Sequence, residues 1–227
     1  MKKYFLLGLI CMALQIQSSA QSPKKTKIAL QFSGHIATLK SQSNSAIANG
    51  ASAGYSFGAI IDRFFEDNYA ISTGFSIMQT GINDQFWGST SAGPVKYDRS
   101  MRIQYLEIPF SLKLKTNPIG YMTYFGNIGL SNGFRLKSTY ETTLNDQEVN
   151  NGNAKDYTSF FRSALVIGGG AEYNISGNTN IMFGLNYHNG FTNVLNGDGF
   201  AENNGTLTND KPKAYTNFIE LKIGIFF

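Results

Sequence analysis

The chain has 227 residues, of which 42% are hydrophobic, 14% aromatic and 15% charged, with 24 glycines and a formal net charge of +4. A single cysteine excludes a disulfide framework or a zinc ribbon, and the apolar content excludes a disordered chain. Beyond residue 20 no apolar run approaches the roughly 18 residues of a membrane-spanning helix, so none is expected in the mature chain.

The first predicted element is a secretory leader over residues 1–20. Two lysines follow Met1, an apolar stretch runs from Tyr4 to Leu14, and small residues end at Ala20, the pattern that a leader peptidase cleaves. Cleavage would remove the two lysines and the only cysteine, so the net charge would fall from +4 to +2. That charge is too small to indicate nucleic-acid binding. A retained N-terminal helix is the alternative.

Residues 21–227 are predicted to form one all-β domain, because apolar side chains recur there at every second position. This period of two is typical of strands with one apolar and one polar face. The predicted strands are Lys27–Leu39, Ala53–Ile61, Tyr69–Gln79, Met101–Lys115, Tyr121–Leu136, Phe160–Ile175, Asn180–Phe191 and Thr216–Phe227. Most are long enough for the 9–11 residues of a tilted membrane strand.

The fourth predicted strand contains a change of parity. Met101, Ile103 and Tyr105 share one face, whereas the apolar residues from Leu106 to Leu114 occupy the other. If both sets face lipid, the strand must contain a β-bulge near Tyr105.

The connections between the predicted strands alternate in length. Long polar loops follow the first, third, fifth and seventh strands, at about residues 40–52, 81–100, 137–157 and 193–213, and short turns follow the others. Alternate connections of an up-and-down barrel emerge on the same side, and short periplasmic turns opposite long outer loops are typical of outer-membrane barrels. The predicted fold is therefore an eight-stranded antiparallel up-and-down transmembrane β-barrel.

Charged residues on the companion face are expected to turn into the lumen, because a Lys or Arg facing lipid at mid-bilayer costs about 2–4 kcal/mol. The predicted structural network of the lumen consists of Arg102, Glu107, Lys113, Arg162, Glu172, Glu220 and Lys222. A soluble ligand-carrying barrel would show the same alternation turned inside out. Glycine-rich polar faces and aromatic strand ends favour the membrane barrel over that alternative.

The last strand ends in alternating apolar residues, Ile223, Ile225 and the terminal Phe227. This pattern resembles the C-terminal signal that the outer-membrane assembly machinery recognises. A free alternating strand can add to the edge of a sheet, so we expect these three residues to direct assembly.

The segment Tyr105–Lys113, YLEIPFSLK, resembles a motif of a bacterial outer-membrane β-barrel domain family often labelled PorT-like. The similarity extends over most of the mature chain as eight strands and a terminal phenylalanine. The resemblance implies a small outer-membrane barrel without a cofactor, and the name-giving member implies an accessory role in protein secretion.

No catalytic, cofactor or metal site is expected. Some eight-stranded barrels are lipid A deacylases that use a histidine with a serine two residues later, but here Gly190 follows His188 at that position. His35 is the only other histidine, and two distant histidines make a poor metal site. Trp87, in the loop after the third strand, is either an adhesion contact or a residue that folds onto the barrel rim.

The expected function is non-enzymatic, a structural or interaction role through the extracellular loops without a large pore. Accessory protein secretion is the first alternative, and a lipid A-modifying esterase is the second. We expect a monomer that contacts outer-membrane lipid, the assembly machinery and envelope or secretion proteins, and that binds no nucleic acid.

Overall fold

The computed structural model describes residues 26–91 and 93–227, so the predicted leader lies outside the described residues. The strands are β1 (Thr26–Ser41), β2 (Ile47–Ala48), β3 (Ala51–Glu66), β4 (Tyr69–Thr90), β5 (Gly93–Lys115), β6 (Met122–Leu144), β7 (Gln147–Asn153), β8 (Phe161–Ser176), β9 (Thr179–Gly190), β10 (Phe200–Asn203), β11 (Thr206–Asn209) and β12 (Ala214–Phe226). The described residues include no helix that is long and apolar enough to cross a bilayer.

Eight of these described strands close into a barrel in the order β1, β3, β4, β5, β6, β8, β9 and β12, all antiparallel to their neighbours. The first and last strands pair continuously from Ala29 opposite Phe226 to Ser41 opposite Ala214. This closure leaves no open edge among the eight strands, as hydrocarbon surroundings require. The predicted eight-stranded antiparallel barrel is confirmed.

The outside of the barrel is a broad apolar belt, because every second side chain of each strand points outward. The belt includes Ile28, Leu30, Phe32, Ile36, Phe57, Phe75, Ile108, Phe110, Ile128, Leu130, Ile167, Phe183, Leu185, Ile219, Leu221, Ile223 and Ile225, all exposed. Exposed apolar surface this extensive is incompatible with a water-soluble monomer, so it indicates that the belt faces lipid.

The side chains of β5 alternate between the two faces of the barrel wall without interruption. The predicted change of face near Tyr105 is therefore wrong. Met101, Ile103 and Tyr105 are buried inside the barrel, on the same face as Glu107. A register shift does occur beside Tyr105, but the residue skipped in the pairing is Leu136 of β6. The inner apolar residues pack against loops that fold over the barrel mouth, a contact that strand periodicity does not show.

Two of the long connections predicted as loops are largely strand. Strands β4 and β5 stay paired to Thr90 and Gly93, which forms a long hairpin, and β7 turns back along β6. The two-residue β6–β7 turn, Asn145–Asp146, has positive φ at both positions, as in a type I′ turn. Asn204 and Gly205 join β10 to β11 in the same way. We refer to these three as the extracellular hairpins.

Candidate functional site

The periplasmic half of the lumen contains an ionic layer around Lys113. Its Nζ lies 2.6 Å from Asp62 Oδ2 and 2.8 Å from Glu172 Oε1, and Lys115 Nζ lies 2.5 Å from Glu172 Oε2. Ser72 donates a further hydrogen bond to Asp62 at 2.6 Å. All four charged side chains are at least nine-tenths buried, so each is neutralised inside the barrel.

A second polar cluster lies nearer the extracellular side and centres on the buried carboxylate of Glu220. Ser33 donates to Oε1 at 2.6 Å, whereas Asn186 Nδ2 and His188 Nε2 lie 2.9 and 3.1 Å from Oε2. Lys222 Nζ is 3.4 Å from the same oxygen. Strands β1, β9 and β12 supply these groups, so the cluster joins the first and last strands of the barrel.

Both histidines of the chain are in the lumen, on either side of Phe218. The ring of His188 stacks on Phe218 with centroids 4.0 Å apart, and the ring of His35 lies 4.8 Å from the same centroid. The two histidines come from strands β1 and β9, which flank β12. Sequence reasoning treated them as distant, because separation along the chain hides this neighbourhood.

Arg162 and Glu107 occupy the lumen without a direct ion pair among the described residues. The Arg162 guanidinium lies 4.8 Å over the Phe218 ring, and its Nε donates to Thr216 Oγ1 at 3.0 Å. The two terminal nitrogens have no hydrogen-bond partner in the described part of the chain. Glu107 accepts hydrogen bonds from Ser131 and, at 3.4 Å, from Ser76.

The middle of the lumen contains a cavity of about 60 Å³, lined by both polar clusters. That volume holds only a few water molecules. Above it the barrel mouth is closed by an apolar plug, which we define as the buried residues Ala37, Leu39, Ala46, Met78, Ile82, Met101, Ile103, Tyr105, Ala154, Val194, Leu195, Ala214 and Phe218. The plug combines inward strand residues with loop residues folded inward from the extracellular side.

The glycines of β8 let its backbone approach its neighbours closely. A Cβ at Gly168 would meet the Asn186 side chain and lie 2.6 Å from the Leu185 carbonyl oxygen. A Cβ at Gly170 would meet the Phe183 carbonyl and lie 2.8 Å from the Phe125 ring. Close backbone packing in a narrow barrel therefore explains this glycine run, as expected from the sequence.

Six of the seven predicted network residues face the lumen, namely Glu107, Lys113, Arg162, Glu172, Glu220 and Lys222. Arg102 does not, since it lies exposed on the outer face of β5, opposite in direction to buried Met101 and Ile103. The prediction placed Arg102 inside because it assumed the parity switch. Asp62 was missed, although β3 continues past the predicted end at Ile61 and keeps its alternation.

The predicted assembly residues Ile223, Ile225 and Phe227 all point outward and are exposed. The neighbouring Phe226 is instead fully buried, with Lys113 Nζ 4.6 Å from its ring. Phe226 therefore packs inside the barrel, whereas the three predicted assembly residues face outward. Their role in assembly stays a prediction.

The base of the extracellular hairpins is fixed by charge-assisted contacts. Arg99 pairs with both carboxylate oxygens of the buried Asp84, at 3.0 and 2.6 Å. Arg135 Nη1 donates to the backbone oxygens of Lys155 and Thr158, each at 2.6 Å. The bidentate geometry of the first pair fixes direction as well as distance, so the hairpins continue the barrel wall as ordered structure.

An eight-stranded barrel with an apolar exterior, a closed polar interior and long hairpins at one end is a transmembrane barrel of the outer-membrane type. The family described as outer membrane protein beta-barrel domain matches residues 16–196, and the chain belongs to that family. The protein is therefore an integral protein of the bacterial outer membrane. No curated protein sequence matches the chain.

The chain is similar to solved outer-membrane barrels at low sequence identity. OprG of Pseudomonas aeruginosa is 10% identical with a TM-score of 0.50, over 92% of this chain and 99% of that chain. Ail of Yersinia pestis, solved with the heparin analogue sucrose octasulfate, is 12% identical with a TM-score of 0.40, over 89% of this chain and 99% of that chain. The likeness to OprG shows the fold alone.

Proposed function

We propose that this outer-membrane barrel is a surface-interaction protein that contacts its partners through the extracellular hairpins and does not serve as a diffusion pore. The apolar plug is the observation that carries the proposal. It packs across the barrel mouth on the side that a solute would enter, above a cavity of about 60 Å³, and so supports a barrel without a diffusion path. The surface left for function is then the hairpin surface itself.

The hairpins are suited to such contacts because they are paired strands and therefore rigid. A preformed surface loses little conformational entropy when a partner binds. The longest hairpin, β4–β5, carries several aromatic side chains. Phe86 and Tyr97 stack there with ring centroids 5.5 Å apart. Lys96 Nζ lies 5.0 Å from the centroid of the Trp87 ring. Rigid aromatic groups are common anchors of binding surfaces.

A non-enzymatic role is part of this proposal. His188, the candidate residue for a lipid A esterase, is 4% exposed and lies beside Glu220 inside the lumen. A lipid substrate in the outer leaflet would meet the outer surface of the barrel, on the other side of the wall from this imidazole. This position supports a structural role for His188 in the Glu220 cluster.

The test compares the intact protein with a variant in which residues 86–97 are replaced by a short Asn-Gly turn, both reconstituted in liposomes. Neither protein should accelerate the swelling of liposomes in small sugars. In a second assay, the liposomes are added to cells of the producing strain from which the gene has been deleted. Liposomes with the intact protein should bind to these cells, and liposomes with the trimmed variant should not. Porin-like swelling, or equal binding to cells with the trimmed variant, would contradict the proposal. Altered secretion of other proteins in cells that carry the trimmed variant would point instead to the export role.

A further inference from the structure

The extracellular hairpins enclose a pocket of about 660 Å³ that is open to the outside. Its walls come from the β4–β5 hairpin, the β6–β7 hairpin and the segment that carries β10 and β11. The aromatic lining consists of Phe86, Trp87, Tyr97, Tyr140, Tyr157 and Phe200. The volume is within the roughly 300–1,000 Å³ that is typical of small-molecule sites.

The bottom of this pocket rests on the apolar plug. Tyr140 packs against the apolar plug and makes an edge contact with Tyr157, with centroids 5.3 Å apart. The Arg99 guanidinium lies 4.8 Å from the Phe86 centroid and 5.5 Å from that of Tyr157. A ligand in the pocket would therefore meet a fixed aromatic floor above a closed barrel.

The rim of the pocket is polar. Asn150, Asn196 and Asp198 line it and are exposed, so their amide and carboxylate groups are available to a ligand. Amides both donate and accept hydrogen bonds, and a carboxylate accepts several. The pocket thus combines flat apolar faces below with directional hydrogen-bonding groups above.

We propose that this pocket binds a short segment of a neutral carbohydrate chain, an inference that rests on the surface-interaction function proposed above and names its ligand class. The faces of a sugar ring carry C–H groups that pack on aromatic rings, and its edges carry hydroxyls that pair with amides and carboxylates. An acyl chain would use the aromatic floor but none of the three polar groups of the rim.

The electrostatics of the pocket favour a neutral sugar over a sulfated or phosphorylated one. Among its described lining residues Arg99 is the one cation, and both oxygens of the buried Asp84 already pair with it. Lys96 does not line the pocket, and its ammonium group contacts the Trp87 ring at 5.0 Å. Asp198 adds a negative charge at the rim. An anionic glycan would face this carboxylate and would have to compete with Asp84 for the guanidinium.

Trp87 makes the test specific because it is the only tryptophan of the chain and lies in the pocket wall. The intact protein is placed in phosphatidylcholine nanodiscs, which avoids detergents with sugar headgroups, and its fluorescence is titrated with maltohexaose, cellohexaose, chitohexaose and mannohexaose. A heparin hexasaccharide and lauric acid are the charged and acyl comparison probes. We expect a saturable emission change with at least one neutral hexasaccharide, at concentrations where the comparison probes have no effect.

Two pocket variants and one distant variant complete the test, each first shown to be folded by its heat-shifted gel band. Tyr157→Ala removes an aromatic face and should weaken binding about tenfold, the effect of one lost aromatic contact. Asn150→Ala removes only an exposed amide and should weaken binding about threefold, the effect of a lost neutral hydrogen bond. Tyr121→Ala lies beside a periplasmic turn and should leave binding unchanged.

The inference is wrong if no neutral hexasaccharide changes the emission, if heparin or lauric acid acts equally well, or if both pocket variants bind like the intact protein. These failures are distinguishable from failure of the proposed function. If no sugar changes the emission but liposome binding to cells still requires the hairpin, only the carbohydrate ligand is overturned. If a sugar binds but liposomes with the trimmed variant bind to cells as well as those with the intact protein, the surface-interaction role is overturned and the carbohydrate site stands.

Discussion

Replacing Lys113 with methionine should strongly destabilise the barrel. The lysine is 3% exposed and lies between two carboxylates, with Nζ 2.6 Å from Asp62 and 2.8 Å from Glu172. Methionine has a similar length, so the substitution removes the charge without leaving a large cavity. The remaining carboxylates cannot move into water, because they are fixed on opposite walls of the lumen.

The expected loss follows from the partners that each carboxylate keeps. Removing one member of a buried ion pair costs roughly 3–5 kcal/mol, since the charge left behind is not rehydrated. Glu172 would retain Lys115 and Asn180, whereas Asp62 would retain only the Ser72 hydroxyl among its contacts in the described residues. Because Glu172 keeps a cation and only Asp62 loses its own, we expect the lower part of the range, about 3 kcal/mol, or a roughly 150-fold smaller folding constant.

The assay is urea unfolding of the reconstituted barrel, measured by the fraction that keeps its heat-shifted gel band. The matched control is Lys222→Met, because Lys222 has a side-chain exposure of 19% and Glu220 keeps three other partners. That variant should lose less stability than Lys113→Met, because three hydrogen-bond partners remain on the Glu220 carboxylate. Adding Asp62→Asn to Lys113→Met should recover part of the loss. Equal stability of the two lysine variants would refute the reasoning.

Three further predictions concern packing, assembly and the plug. Gly170→Ala should abolish the folded gel band because its Cβ would meet the Phe183 backbone, whereas Gly34→Ala, with open space around it, should fold normally; equal folding would contradict the close-packing explanation. Phe227→Ala should lower the outer-membrane level several-fold by immunoblot of membrane fractions while Tyr121→Ala does not, and unchanged levels would show that the terminal signal is misread. Leu195→Asp places a carboxylate in the apolar plug and should lower the urea concentration at which the folded band is lost, because an unpaired buried charge is costly; an unchanged urea midpoint would show that Leu195 is not packed in the plug.

Much of the barrel could be predicted because alternation is a local property. A strand that faces lipid on one side must place its charges on the other, so Glu107 and Glu172 could be directed inward from spacing alone. The β10–β11 hairpin also had a local signal, the Asn204–Gly205 pair, which favours a type I′ turn and was overlooked. Periodicity fails only where the lumen itself is apolar, which is why Arg102 was placed on the wrong face.

The sequence by itself determined the number of barrel strands, their alternation, the asymmetry of their connections and hence the class of protein. Only the tertiary structure decided which inward groups meet, because Lys113 and Glu172, or His35 and His188, become neighbours through pairings between strands far apart in the chain. It also decided that the mouth is closed and that the hairpins form a pocket. Those features depend on loops that fold back over the barrel, and a pattern read along one strand contains no information about what covers its end.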